Sequence, residues 1–292
     1  MSLPRRNFLR LSAFGAVSLV LPLASVGCGS PAVGILPDVH AGGDADLLFF
    51  DTRGRRVQLQ PLANRVLVHA AEGGEPVVLG RFGMGAGQLN GPTSLALGPD
   101  ERVYVVDRGN ARVQVFTRSG AYLGQLGRSG TGEGELAFPY GVAVAADGSV
   151  WVSDTLNHRL QRFEADGRAL GAFAQGLLET PRGLAIAPDG YLHVVEGGSG
   201  RIAVVSPEGV VVSRYGGRED GLLSPRSIVA AADGCTYVTD VTAAVIFAFA
   251  ADGRLRERIQ LTRDGLPAAP VHAALTPSGV LEVATVPAAA AA

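Results

Sequence analysis

Residues 92–116 read Pro92-Thr-Ser-Leu-Ala-Leu-Gly-Pro-Asp-Glu-Arg-Val-Tyr-Val-Val-Asp107-Arg-Gly-Asn-Ala-Arg112-Val-Gln-Val-Phe116. Ser94–Leu97, Val103–Val106 and Val113–Phe116 are short apolar runs bounded by Gly, Asp and Pro, and Tyr122–Leu126 adds another. Short runs of β-branched and aromatic residues between turn formers are strand signals. Gly98–Glu101 joins the first two runs, and Asp147-Gly148, Asp189-Gly190 and Asp233-Gly234 stand at the matching turns downstream. Glycine there supplies the positive φ that a tight hairpin requires. Val103–Val106 is apolar at every position, so both faces of its sheet must be covered, as in sheets stacked radially around an axis.

The stretch recurs. Its proline returns at Pro139, Pro181, Pro225 and Pro270, at offsets of 47, 42, 44 and 45. The carboxylates Asp107, Asp154, Glu196 and Asp240 step by 47, 42 and 44. Two landmarks in one register establish an internal repeat, with copies near 45–91, 92–138, 139–180, 181–224, 225–269 and 270–287. The first copy is degenerate: Leu48–His69 overlies Leu95–Phe116, with Gln60 where Asp107 stands. The last holds two strands, Val271–Leu275 and Val280–Val286. Its outer strands are either absent or supplied in part by residues 32–44.

Leu126–Val144 and Trp151–Phe163, with Asp154, Asn157, His158 and Arg159 at their turn, resemble NHL repeats. The copies at 92 and 139 fit best, those at 181 and 225 less well, and the first and last only by register. The resemblance covers residues 45–287 and implies an all-β, six-bladed β-propeller with an incomplete sixth blade. It implies little about activity, because the family holds RNA-binding modules, protein-interaction modules, sensor domains and an amidating lyase. That lyase uses His-held zinc, and related propellers of the lactonase kind hold calcium.

The flanks suggest an address. Arg5-Arg6-Asn7-Phe8-Leu9-Arg10 precedes an uncharged apolar run, Leu11–Val26, too short for a comfortable transmembrane span. Arg-Arg-x-Phe-Leu resembles the twin-arginine export motif, and Ala24–Cys28 resembles a lipobox. The expected organisation is a signal peptide at 1–27, a lipidated Cys28 with a flexible tether at 28–44, the propeller at 45–287 and an Ala tail at 288–292. A lipoprotein facing the periplasm or exterior is the expected location.

Composition narrows the chemistry. All 25 cationic residues are Arg, so Lys-dependent Schiff-base and P-loop chemistry is excluded. Loss of Arg5, Arg6 and Arg10 with the leader leaves 22 positive and 27 negative charges, a net −5, which disfavours sequence-independent nucleic-acid binding. With Cys28 acylated, Cys235 is the sole thiol and no intrachain disulfide forms; Cys235 then reads as inert packing. His40, His69, His158, His193 and His272 show no metal-ligand spacing. The glycine-rich stretches at Gly83–Gly87 and Gly130–Gly134 read as loops between blades, not phosphate cradles.

Asp107, Asp154 and Glu196 each precede an Arg by five residues: Arg112, Arg159 and Arg201. The expected role is a structural clip, in which the carboxylate holds loop N–H groups and the Arg reaches across the turn. Asp240 has Val245 at the Arg position, which leaves it as the one weak candidate for a metal. The residue after each proline sits where the first strand enters the channel. The register places Asp46, Thr93, Tyr140, Arg182, Arg226 and Val271 there, with His272 beside the last. Thr93, Tyr140, Arg182, Arg226 and His272 are therefore the candidate ligand-binding residues. The expected function is a monomeric binding or scaffold module, without a cofactor, that recognises an envelope protein or a small carboxylate at a cationic mouth. The alternative is a metal-dependent lyase or hydrolase.

Overall fold

A computed structural model describes residues 32–35, 46–70, 73–263 and 266–287. The leader, Cys28, most of the tether and the Ala tail lie outside the described residues.

The chain is built almost wholly of short strands. After β1 (Val33–Ile35), β2 (Leu47–Phe50), β3 (Arg56–Gln60), β4 (Arg65–Val68) and β5 (Val77–Leu79) form a four-stranded antiparallel sheet. The second sheet comprises β6 (Pro92–Leu97), β7 (Val103–Asp107), β8 (Arg112–Phe116) and β9 (Tyr122–Leu126). In the loop that follows, β10 (Arg128–Ser129) pairs with β11 (Glu135–Leu136). The third sheet holds β12 (Val142–Val144), β13 (Val150–Asp154), β14 (Arg159–Phe163) and β15 (Ala169–Phe173). The fourth holds β16 (Pro181–Ile186), β17 (Leu192–Glu196), β18 (Ile202–Val205) and β19 (Val211–Tyr215). Then β20 (Pro225–Ala230), β21 (Thr236–Asp240), β22 (Val245–Phe249), β23 (Leu255–Arg263), β24 (Leu266–Leu275) and β25 (Leu281–Pro287) join one seven-stranded sheet whose far edge is β1.

The described residues thus hold four separate four-stranded blades, not six. The strands of the last two copies are continuous because β23 is long: Leu255–Gln260 pairs with β22, while Leu261–Arg263 pairs with Ala268–Leu266 of β24. Val33, Gly34 and Ile35 pair in parallel with Leu281, Glu282 and Val283, so residues 32–44 do supply a strand beside the last copy, and that part of 28–44 is sheet instead of tether. A Cβ on Gly34 would meet the end of the Glu282 side chain, which would have to move aside.

Each blade buries its second and third strands most deeply. β7, β8, β13, β17, β21 and β22 are buried at every position. Facing sheets share apolar layers: Tyr104, Val106, Val113 and Val115 pack with Val142, Val150, Val152 and Phe163, and Trp151 and Leu160 pack with Leu192, Val194 and Ala203. Burial of large side chains contributes about 1.5–3 kcal/mol each, which is why strands apolar on both faces are stable here. The first strands stand side by side in the order β2, β6, β12, β16, β20 and β24, and β24 returns to β2. They surround the central channel.

Candidate functional site: a cationic channel mouth

A bulge opens most of the first strands at their start. Pro92, Pro181 and Pro225 begin strands and Pro270 lies within β24, each with a register shift just after it, so Thr93, Arg182, Arg226 and Val271 fall out of the ladder. Proline is tolerated at a first strand position, and a bulge re-aims the residue it releases. Tyr140 precedes β12, its N–H donating to the Ser153 carbonyl at 3.2 Å. Thr93, Tyr140, Arg182, Arg226 and Val271 converge on one cavity of about 450 Å³ at the channel mouth.

A third arginine joins them. Arg108 follows the clip carboxylate Asp107 in a single 3-10 turn and lines the same cavity. Its guanidinium carbon sits 3.8 Å above the Phe138 ring centroid and 5.7 Å from that of Tyr140, a cation–π arrangement. Its Nε is buried without a hydrogen-bond partner. Burial lowers the Arg108 pKa from its ordinary value; Tyr140 opposes that shift, and Arg182 and Arg226 add to it. Phe138 holds its place with φ of 57°, where Gly91 has φ of 56° one repeat earlier. A left-handed conformation in a non-glycine residue costs roughly 1–2 kcal/mol, and here it sets an aromatic wall beside a cation.

Neighbours shape the rest of the mouth. Thr93 Oγ1 donates to the Tyr140 carbonyl at 2.8 Å, so this hydroxyl ties two blades together. Arg182 Nη1 donates to the Pro225 carbonyl at 3.4 Å. A Cβ on Gly197 would collide with the Arg182 side chain, so glycine at that turn leaves the guanidinium its room. Among the described residues, Arg108, Arg182 and Arg226 have no carboxylate within ion-pairing distance.

His272 is not at the mouth. It re-enters the ladder opposite Ala284, one residue past the bulge, and the alternation of the strand turns it inward. Its Nε2 donates to the Leu48 carbonyl at 2.8 Å, its Nδ1 accepts from Ser227 Oγ at 3.1 Å, and its ring centroid lies 4.6 Å from that of Phe49. Burial pushes its pKa down to about 4, only partly opposed by the Leu48 carbonyl. The ring is a neutral link between last and first strands. Asp46 is likewise buried, accepting from Gln58 and Gln60 at 2.6 and 2.7 Å.

The clips are explicit in two copies. Arg112 Nε donates to Asp107 Oδ2 at 2.8 Å, and Asn110, Gln114 and the Asn90 N–H supply further donors to Asp107. The Arg112 Nη2 spans to the carbonyls of Gly85 and Gln88 at 2.8 and 3.0 Å. Arg159 repeats this with Asp154 at 2.8 Å and with Gly132 and Glu135 at 2.7 and 3.0 Å. In the first copy Arg65 Nε donates to Gln60 Oε1 at 2.6 Å, a neutral counterpart.

The third clip differs from expectation. Glu196 is held by Arg214 from β19, Nε to Oε2 at 2.9 Å, while Arg201 lies outward, 3.6 Å from Glu219. Glutamate is one methylene longer than aspartate, so its carboxylate passes the turn and meets the outer strand. Asp240 is fully buried and accepts from the Leu223, Ser224 and Ala243 N–H groups at 2.7, 2.8 and 2.9 Å. Those backbone donors hold the carboxylate where the other copies use an arginine. No group of three or more His, Cys, Asp or Glu among the described residues is placed to share an ion. Cys235 is also corrected: it is disulfide-bonded, not a free packing thiol.

Known proteins place the fold. The NHL repeat family profile matches residues 89–116 and 136–163. No curated protein matches the chain. Among solved structures, a catalytically inactive virginiamycin B lyase from Staphylococcus aureus with quinupristin aligns with a TM-score of 0.63 and 15% identity, covering 84% of this chain and 86% of that one. A gluconolactonase from Xanthomonas campestris aligns at 0.61 and 21%, covering 79% of each. A nidogen/laminin complex aligns at 0.62 and 20%, covering 76% and 82%. At such identities the likeness carries the fold alone. With the repeat register, the radial sheets and the profile match in agreement, the chain carries NHL repeats at residues 89–116 and 136–163 within a β-propeller fold.

Proposed function

We propose that this propeller is an extracytoplasmic binding module whose mouth captures a carboxylate, on a small ligand or on an acidic side chain of an envelope protein. One observation carries the reading: Arg108, Arg182 and Arg226, without a carboxylate partner among the described residues, line a single cavity. Like charges held together cost free energy, and an anion relieves that cost while accepting from planar guanidinium forks. Each charge-assisted hydrogen bond nets about 1.5–3 kcal/mol, so two give about 3–6 kcal/mol, enough alone for about millimolar capture.

The finer reading of the fold is six blades. The seven-stranded sheet would then be a fifth blade, β20–β23, running into a sixth made of β24, β25 and β1. The address in this proposal is the cell envelope, reached through the twin-arginine leader; lipid on Cys28 would hold the protein there only in a form in which Cys235 is not disulfide-bonded. The protein would act there as a monomer, without nucleic acid or cofactor.

The binding test is calorimetry of the mature protein against small carboxylates at low and high salt, beside an envelope pull-down. Arg182→Ala with Arg226→Ala, shown to fold by circular dichroism, should lose binding, and added salt should weaken the wild type. Unchanged capture by the double variant would return both residues to a solvated loop edge.

A further inference from the structure

The mouth leads onto a second cavity of about 320 Å³ deeper in the channel, and the two share Leu47, Thr93, Tyr140, Arg226 and Val271 as lining. The deeper cavity is of a different chemistry. Phe49, Leu95, Leu97, Ile228 and Leu275 line it, and Arg226 at the shared boundary is its only charged lining residue. Of its few polar groups, His272 already has both ring nitrogens bonded, one of them to the Ser227 hydroxyl. A cationic collar thus stands on a largely apolar shaft.

From this we infer that the anion taken at the mouth is an amphipathic monocarboxylate, its head among Arg108, Arg182 and Arg226 and its alkyl or aryl tail in the shaft. The inference rests on the mouth reading and adds the class of ligand to it. The head requires cations, which the collar alone supplies. The tail requires an apolar wall, which Phe49, Leu95, Leu97, Ile228 and Leu275 supply. A second charge further along the ligand would lie against this apolar wall with no charged partner in the lining besides Arg226, and such a charge is costly. Chain length therefore raises affinity, and a distal carboxylate abolishes that gain.

The test is titration calorimetry of the full mature chain with acetate, butyrate, hexanoate and octanoate, with suberate as the octanoate analogue charged at both ends, and with 1-octanol as the tail without a head. Affinity should rise roughly three- to fourfold with each added methylene. Suberate should bind at least about tenfold more weakly than octanoate, and octanol should not bind measurably. Ala230→Leu and Ala96→Leu, two variants that narrow the shaft at different blades, should each flatten the dependence on chain length. The wild-type ligand series decides the matter even where a variant fails to fold. Equal affinity across the series, or suberate matching octanoate, overturns the tail and leaves the mouth reading standing. Absence of binding by every carboxylate overturns both.

Discussion

Arg159→Ala should destabilise the protein by about 3–5 kcal/mol, because it strands a fully buried carboxylate, and Arg112→Ala should do the same for Asp107. Arg201→Ala should fall within about ±0.5 kcal/mol, as an exposed side chain whose only ion pair is a loose surface one. Arg214→Ala should cost about 1–3 kcal/mol, since its guanidinium is one-third exposed but Glu196 is not. Asp240→Asn should cost about 1–3 kcal/mol as well, because an amide turns an N–H₂ against one of three backbone donors. Urea unfolding of the five variants checks the ranking, and equal losses at Arg201 and Arg159 would refute the pairing. The five-residue spacing made the Asp107 and Asp154 clips legible. It misled at Glu196, because spacing along the chain does not encode the reach of one more methylene. Arg108 was harder to see: its register position beside Asp107 is plain, but nothing local says that a turn residue leans over Phe138 towards Arg182 and Arg226.

Between elements, His272 is the link most open to measurement. Its pKa is about 4 in the fold, against about 6.5 for an unperturbed imidazole. The folded value is depressed, so the stabilisation is complete above pH 6.5 and is lost as pH falls towards 4, where the buried ring must take a proton. The loss should reach about 3 kcal/mol at full extent. His193 is shifted in the same direction by burial, against an opposing Asp189. Denaturant unfolding from pH 7 to 4 should show a wild-type decline that His272→Gln shares much less, and parallel profiles would contradict the assignment. The strands themselves were readable from alternating turns and apolar runs. The bulges after Pro181, Pro225 and Pro270 were not, and they separate Arg182 and Arg226, which leave the ladder at the mouth, from His272, which rejoins it and faces inward. A one-residue shift in a strand reverses the face a side chain meets, so a register alignment that is correct for the backbone still misplaced His272.

Taken whole, the molecule has one address question and one ring to complete. Arg5→Lys with Arg6→Lys should hold the protein in the cytoplasm if the twin-arginine route is used, which fractionation reads directly; normal export of the variant would end that proposal. Cys28→Ala should release it from membranes. A sulfur that carries lipid cannot also form a disulfide, and the chain has two cysteines. Maleimide labelling of Cys235 in denatured protein therefore discriminates: reaction without reductant supports an acylated Cys28, and reaction only after reduction contradicts it. At this scale the repeat was the most legible feature, since Pro-to-Pro and carboxylate-to-carboxylate spacings agree. The joining of the last two copies was not, because nothing in the composition of Leu255–Arg263 marks where one sheet should stop.

The pairing of β1 with β25 also sets an order in time. Val33 meets Leu281, and the His272 ring meets Leu48 across 224 positions of chain. Contacts so distant along the chain form late, because a long loop must be closed before they return any free energy. While the ribosome is still working, the opening strand waits for a partner not yet translated, and the blades already made stand in an open arc with two unpaired ends. Such ends invite pairing with other chains. The nascent protein is therefore most exposed to misassociation just before its last strand emerges, when it holds nearly all its sheet and has not yet become a ring.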